Sequence, residues 1–224
     1  MVNEDISNNT IFLYEPSIIK DLAEVLNPDK SVFWDVRTDA LYALNAISHY
    51  RSRFQETLTA LNASANHGVL TYIFRKLLAS MDANEELDFP SEFAEAIFSF
   101  IFYITTTNAG GNAVISAGMI QTFTRFLSVT SPAYLKVVTR CVVLLDNIVY
   151  GFTNAMGIFV NADGVNLIVN RVQAEVEKAI QSASDSMVTE DDNKQQGLTE
   201  HSGKRNYIYI CMNEMKISYL VTFR

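Results

Sequence analysis

Apolar residues recur with helical spacing along most of the chain. SIIKDLAEVL (17–26) places Ile18, Ile19, Leu22, Val25 and Leu26 on one stripe, the i, i+3, i+4, i+7 pattern of a helix that buries one face. Asn27-Pro28 closes it, because the residue before a proline avoids helical backbone angles. A second helix is predicted over 35–50, with Val36, Ala40, Leu41, Leu44 and Ile47 inward. RFQETLTAL carries Phe54, Leu58 and Leu61, and VLTYIFRKLLASM carries Leu70, Ile73, Phe74, Leu77 and Leu78. SEFAEAIFSFIFYI, entered through Asp88-Phe89-Pro90, is apolar nearly all round, so it predicts a helix buried on most sides. MIQTFTRFL, YLKVVTRCVVLLDNIVYG, NAMGIFV and VNLIVNRVQAEVEKAI follow. Val, Ile and Thr are frequent in several of these, notably at Ile101–Thr107, but length and the 3.6-residue period favour helix over strand.

The helices repeat. Gly68, Gly118 and Gly164 each open a segment rich in Leu, Ile or Val, and Ser17 occupies the same slot at the start, with spacings of 51, 50 and 46 residues. Five positions after each slot stand Leu22, Ile73, Phe123 and Val169; nine after stand Leu26, Leu77, Leu127 and the polar Gln173. In the more hydrophobic helix that follows, Ala40, Leu44 and Ile47 match Ala94, Phe98 and Ile101, then Cys141, Leu145 and Ile148. This is a repeat of two or three helices near the upper edge of the ~40–47-residue period of armadillo and HEAT repeats. A unit of this size cannot bury both its faces alone, so neighbours stack into a solenoid. The expected fold is therefore all-α: an armadillo/HEAT-like helical solenoid of three to four repeats over 15–181, with a flexible C-terminal extension. Residues 1–14 are expected to be disordered, 182–206 to form a polar disordered linker, and 207–224 to be an apolar tail that fits neither the repeat nor a membrane span.

The glycine-rich stretch NAGGNAVISAGMI (108–120) invites a phosphate-loop reading, which its spacing excludes. Such loops need GxxxxGK with Ser or Thr, or GxGxxG after a strand. Here no lysine follows Gly118, and a helical pattern precedes Asn108. The expectation is punctuation: Asn108–Gly111 ends one helix with left-handed backbone angles, Asn112 caps the short helix AVISA, and Gly118 turns the chain into the next. Gly68 and Gly164 are expected to act alike.

Composition narrows the function. Of 224 residues 49% are hydrophobic, enough for a core, and the formal net charge is −8. So acidic a chain is a poor match for a phosphate backbone, and nucleic acid is not an expected partner. No run of about 18 apolar residues predicts a membrane span, and MVNEDISNN has neither the positive start nor the apolar run of a signal peptide. Two cysteines, Cys141 and Cys211, make neither a disulfide framework nor a zinc site. His49, His67 and His201 are not spaced as metal ligands or catalytic pairs, and no GxSxG, HExxH or CxxC occurs. Cys141, mid-helix on a core face, reads as a buried thiol, and Glu85, Glu86 and Asp88 as a solvated acidic loop. No catalytic, cofactor-binding or metal-binding residue is assigned, no cofactor is expected, and no specific binding residue is identified. A peptide-binding asparagine ladder is also missing, since Asn45 falls opposite Asp146 and Asn147 opposite Ala46 and Phe100.

FAEAIFSFIFYITTTNAGGNAVISAGMI, VVTRCVVLLDNIVYG and LIVNRVQAEVE, together with SIIKDLAEVL, ALNAISHYRSRF and NASANHGVLTYIFRK, resemble the N-terminal armadillo-like region of the giant HECT-type ubiquitin ligases, those of animals that carry UBA and WWE domains and their fungal counterparts. The resemblance spans roughly 17–178; the stretch after Ser182 departs from it. It implies a non-catalytic solenoid that recruits substrates for protein ubiquitination, in a cytoplasmic or nuclear setting, with protein partners and with the remainder of a longer ligase missing from this chain. It transfers no catalytic residue: the family's thioester cysteine lies in a C-terminal HECT domain, and neither Cys141 nor Cys211 inherits that role. The alternative expectation is a free-standing helical-repeat adaptor that binds a peptide or cargo protein.

Overall fold

The computed structural model describes residues 10–62, 68–82 and 90–188. Among the described residues the chain is helical, with no strand. A short α1 (Thr10–Tyr14) precedes three three-helix units: α2 (Ile18–Val25), α3 (Trp34–Ser48) and α4 (Arg51–Asn62); α5 (Val69–Asp82), α6 (Ser91–Thr105) and α7 (Asn108–Ser116); α8 (Met119–Phe126), α9 (Leu135–Gly151) and α10 (Ala155–Asn161). The long α11 (Gly164–Val188) opens a further unit. Each repeat slot read from the sequence falls within one residue of a helix start, and the molecule is an all-α helical-repeat solenoid.

The middle helices build the core. α3 packs on α6 and α6 on α9, so the second helix of every unit contributes to one continuous stack. α6 shows why its sequence is apolar all round: Phe93, Ile97, Phe100, Ile101 and Ile104 are all buried between its neighbours. Each such side chain adds roughly 1.5–3 kcal/mol on burial. Ala40 and Cys141 are buried and Ala94 half-buried at the equivalent small-residue positions. Phe74 of α5 joins two units, with its ring 5.2 Å from Phe98, 5.0 Å from Phe123 and 6.0 Å from Phe126. Polar ties follow the same period. Tyr72 donates to Asp29, Tyr103 to the Ser48 carbonyl, Asn147 to Thr105 and Lys178 to the Thr130 carbonyl, over separations of 42 to 55 residues.

Several expectations are corrected. The first fourteen residues are not wholly without structure: Thr10–Tyr14 is helical, because Phe12 finds a buried site where the Arg53 guanidinium lies 4.4 Å over its ring. The helical domain does not stop at 181. α11 runs on to Val188, since no proline or glycine interrupts 165–188. Residues 189–224, including the apolar stretch 207–224, lie outside the described residues. Val36 points outward because Arg37, one position on, takes the inward place. Val169 and Gln173 are exposed where Phe123 and Leu127 are buried, and among the described residues no helix follows α11 to cover them.

The glycine stretch is the sharpest correction. Asn108–Gly111 does not end a helix; it begins α7. Thr107, not Asn112, is the cap, its hydroxyl accepting from the Gly110 N–H at 3.0 Å. Neither Gly110 nor Gly111 has a positive φ. Both are required by space: a Cβ on Gly110 would lie 2.8 Å from the Ile104 carbonyl carbon and closer still to its oxygen, and one on Gly111 would come within 2.5 Å of three ring carbons of Phe152. Gly118 does turn the chain in the left-handed region, at φ 76°, as does Gly68 at 100°. At the third boundary Asp163 takes that conformation, at φ 63°, and Gly164 instead makes room for Phe159.

Candidate interaction surface

The side chains with chemical potential are dispersed by this fold. Cys141 is fully buried in the α9 core, and burial pushes its thiol well above the ordinary range, so it is protonated and shielded. His49 is exposed and stacks on Tyr103, ring centres 4.1 Å apart, with Nδ1 2.7 Å from the Asn45 carbonyl oxygen; it joins α3 to α6. Asn147 spends its amide on Thr105. His67, His201, Cys211, Glu85, Glu86 and Asp88 lie outside the described residues. Among the described residues no three His, Cys, Asp or Glu side chains cluster as metal ligands, and no helix is long and apolar enough to cross a membrane.

The concave feature with polar character sits where the first unit meets the second. The turn between α2 and α3 is held from both sides. Arg37 Nη2 donates to the carbonyls of Lys30 at 2.7 Å and Asn27 at 3.2 Å. From α5, Lys76 donates to Asp29 Oδ1 at 2.7 Å and to the Pro28 carbonyl at 3.3 Å, while the Tyr72 hydroxyl donates to Asp29 Oδ2 at 2.7 Å. The Lys76 and Tyr72 hydrogen bonds hold the Asp29 carboxyl below its ordinary range, and the bond to Asp29 raises the Tyr72 phenol above its own. The turn borders a cleft of about 270 Å³ whose lining includes Lys30, Phe33, Trp34, Arg37, Ile73 and Lys76.

Sequence reasoning missed Arg37. It is only 5% exposed, its guanidinium lies 4.6 Å from the Trp34 ring centre, and its buried Nε has no hydrogen-bond partner among the described residues. Burial depresses its pKa from the ordinary arginine value. The available signal was an arginine at an inward register of α3, one residue after Val36. A second missed signal is Arg75, Arg125 and Arg171, each seven residues after a unit-opening glycine. Arg171 is buried, donates to the Val129 carbonyl and pairs with Glu175 at 2.9 Å, which ties α11 to the loop after α8.

Two family models match the chain, Domain of Unknown Function DUF908 over residues 1–79 and DUF913 over 139–220. The E3 ubiquitin-protein ligase ptr1 of Schizosaccharomyces pombe is 27% identical over 167 residues, covering 75% of this chain and 5% of the relative. UPL1 of Arabidopsis thaliana is 25% identical over 210 residues, 94% of this chain and 5% of the relative. HUWE1 of Mus musculus is 25% identical over 165 residues, 71% of this chain and 4% of the relative. Over most of its length the chain is homologous to the N-terminal regions of HECT-type E3 ubiquitin ligases.

These ligase relatives correct one further expectation. The stretch after Ser182 does not leave the family pattern, since the DUF913 match runs to residue 220. The chain spans about one-twentieth of the length of the ligases it matches. What it shares with them is therefore a ligase-associated helical region.

Proposed function

We propose that this chain is a non-catalytic, substrate-recruiting scaffold region of a HECT-type ubiquitin ligase, built from armadillo-like three-helix units and acting in the cytoplasm or nucleus. The observation that carries the reading is the pairing of ligase homology along most of the chain with a solenoid whose one described thiol, Cys141, is sealed in the core. A HECT-type ligase works through an exposed nucleophilic cysteine; a solenoid offers extended surface for proteins instead. The polar cleft between the first two units suits binding better than proton transfer, because its flanking Lys76–Asp29 and Lys30–Glu24 pairs are solvent-exposed.

Two measurements test this. Incubation of the chain with ubiquitin, activating enzyme and charged conjugating enzyme is expected to leave no reducible ubiquitin adduct; a thioester on the chain would overturn the non-catalytic assignment. In the source cell, removal of the coding sequence for residues 10–188 is expected to lower ubiquitination of a set of proteins that also bind the purified chain. Retained binding with an unchanged ubiquitinated proteome would refute recruitment and leave a free-standing adaptor.

A further inference from the structure

We propose that the cleft between the α2–α3 turn and α5 receives an acidic segment of a partner protein, with one carboxylate seated against Arg37 and an apolar neighbour on Phe33. Three cations, Lys30, Arg37 and Lys76, line the cleft, and among the described residues no carboxylate does. Among the described residues no acid pairs with Arg37. A buried guanidinium without a counter-charge is costly, and a charge-assisted hydrogen bond to a carboxylate offsets part of that cost. Arg37 spends Nη2 on the turn and its Nε is sealed from solvent, so a carboxylate in the cleft meets the remaining Nη1.

The surroundings point the same way. α3 begins at this cleft with no side-chain cap at Phe33, so the positive end of its helix dipole faces the anion. Asp35 in the first turn opposes this, but it is exposed and screened by water. Lys30 and Lys76 are paired with Glu24 and Asp29; exposed pairs of this kind are worth only about 0–1 kcal/mol, so both lysines can turn to a better-placed carboxylate. Phe33 is 83% exposed at the rim, a large apolar ring left for a partner to cover. The volume suits one or two side chains, short of the ~300–1,000 Å³ of a cofactor site. A cationic patch this small on a chain of net charge −8 favours a local acidic motif over an extended polyanion.

Trp34 is the only tryptophan and lines the cleft, so its emission reports occupancy. The full chain is titrated with the acetylated, amidated peptide EEFEE and, separately, with QQFQQ. The expected result is a saturable change with EEFEE, binding weaker by about tenfold or more with QQFQQ, and loss of affinity as NaCl rises from about 50 to about 300 mM. Arg37→Met is expected to abolish the response. Because that change also cuts a tie to the turn, as Lys76→Met does, Lys30→Met, whose ammonium pairs with Glu24 of α2, is the cleaner variant. Both lysine variants are measured with far-UV circular dichroism confirming the fold, and each should weaken EEFEE binding about threefold or more. Equal responses to EEFEE and QQFQQ, no saturation by millimolar peptide, unchanged binding in folded Lys30→Met and Lys76→Met, or an identical change with inorganic phosphate alone would each overturn the proposal. It stands or falls on peptide binding, whereas the ligase assignment is tested by ubiquitin transfer.

Discussion

Gly110→Ala should be among the most damaging single-methyl additions to this chain. The added Cβ would sit 2.8 Å from the Ile104 carbonyl carbon, nearer still to the oxygen, and 3.0 Å from Thr107 Oγ1. Ile104 is buried in the last turn of α6, so relief requires moving α7 off α6 rather than turning a side chain. Overpacking of a rigid site costs about 1–3 kcal/mol. Disturbing the Thr107 cap adds about 1 kcal/mol, and the better helix propensity of alanine returns up to about 1 kcal/mol. The net expectation is a loss of about 2 kcal/mol, or a fall in Tm of roughly 4–8 °C for a chain of this size. Gly157→Ala is the control: it lies inside α10 with nothing within 4 Å of the added Cβ, and should gain about 0.5–1 kcal/mol. Thermal unfolding followed by circular dichroism at the helix band compares the two. Gly110→Asn separates steric need from backbone need. Asparagine tolerates left-handed angles but carries a Cβ, so it should be as damaging as alanine. A Gly110→Ala chain that melts at or above the unmodified one, or an asparagine variant that is clearly better than alanine, would refute the close-approach account.

Phe74→Ala removes the ring that meets Phe98, Phe123 and Phe126 across two units, and should cost about 3–5 kcal/mol, read as a lowered urea midpoint or failure to fold. Cys141 should resist a thiol reagent: in a Cys211→Ser background the native chain should show no fast-reacting thiol, and one should appear in denaturant. Asp29 has a depressed carboxyl pKa in the fold, so its contribution to stability is present above the unfolded-state pKa and is lost as pH falls through the folded one. The difference in Tm between the unmodified chain and Asp29→Asn should therefore be largest at neutral pH and vanish in acid; a difference independent of pH would show that its charge contributes nothing.

Helix spacing, the repeat and the family resemblance were all legible in the sequence, because each depends on residues close together along the chain. A helix buries what its 3.6-residue period presents, as Phe74, Leu77 and Ile101 show, and a unit that cannot bury both faces must stack on its like. The role of NAGG was not legible. A glycine needed for left-handed angles and one needed for close approach look the same in a sequence; only the positions of Ile104 and Phe152 distinguish them. Arg37 was hidden for a related reason. Its value lies in burial beside Trp34, two carbonyls of the α2–α3 turn and Lys76 of α5, groups up to 49 residues apart that only stacking brings together. The sequence by itself determined which segments are helices and how often they recur. The tertiary structure decided what the spaces between units exclude, as at Gly110, and what they can admit, as at Arg37, because such spaces are set by distances between units that are not neighbours along the chain.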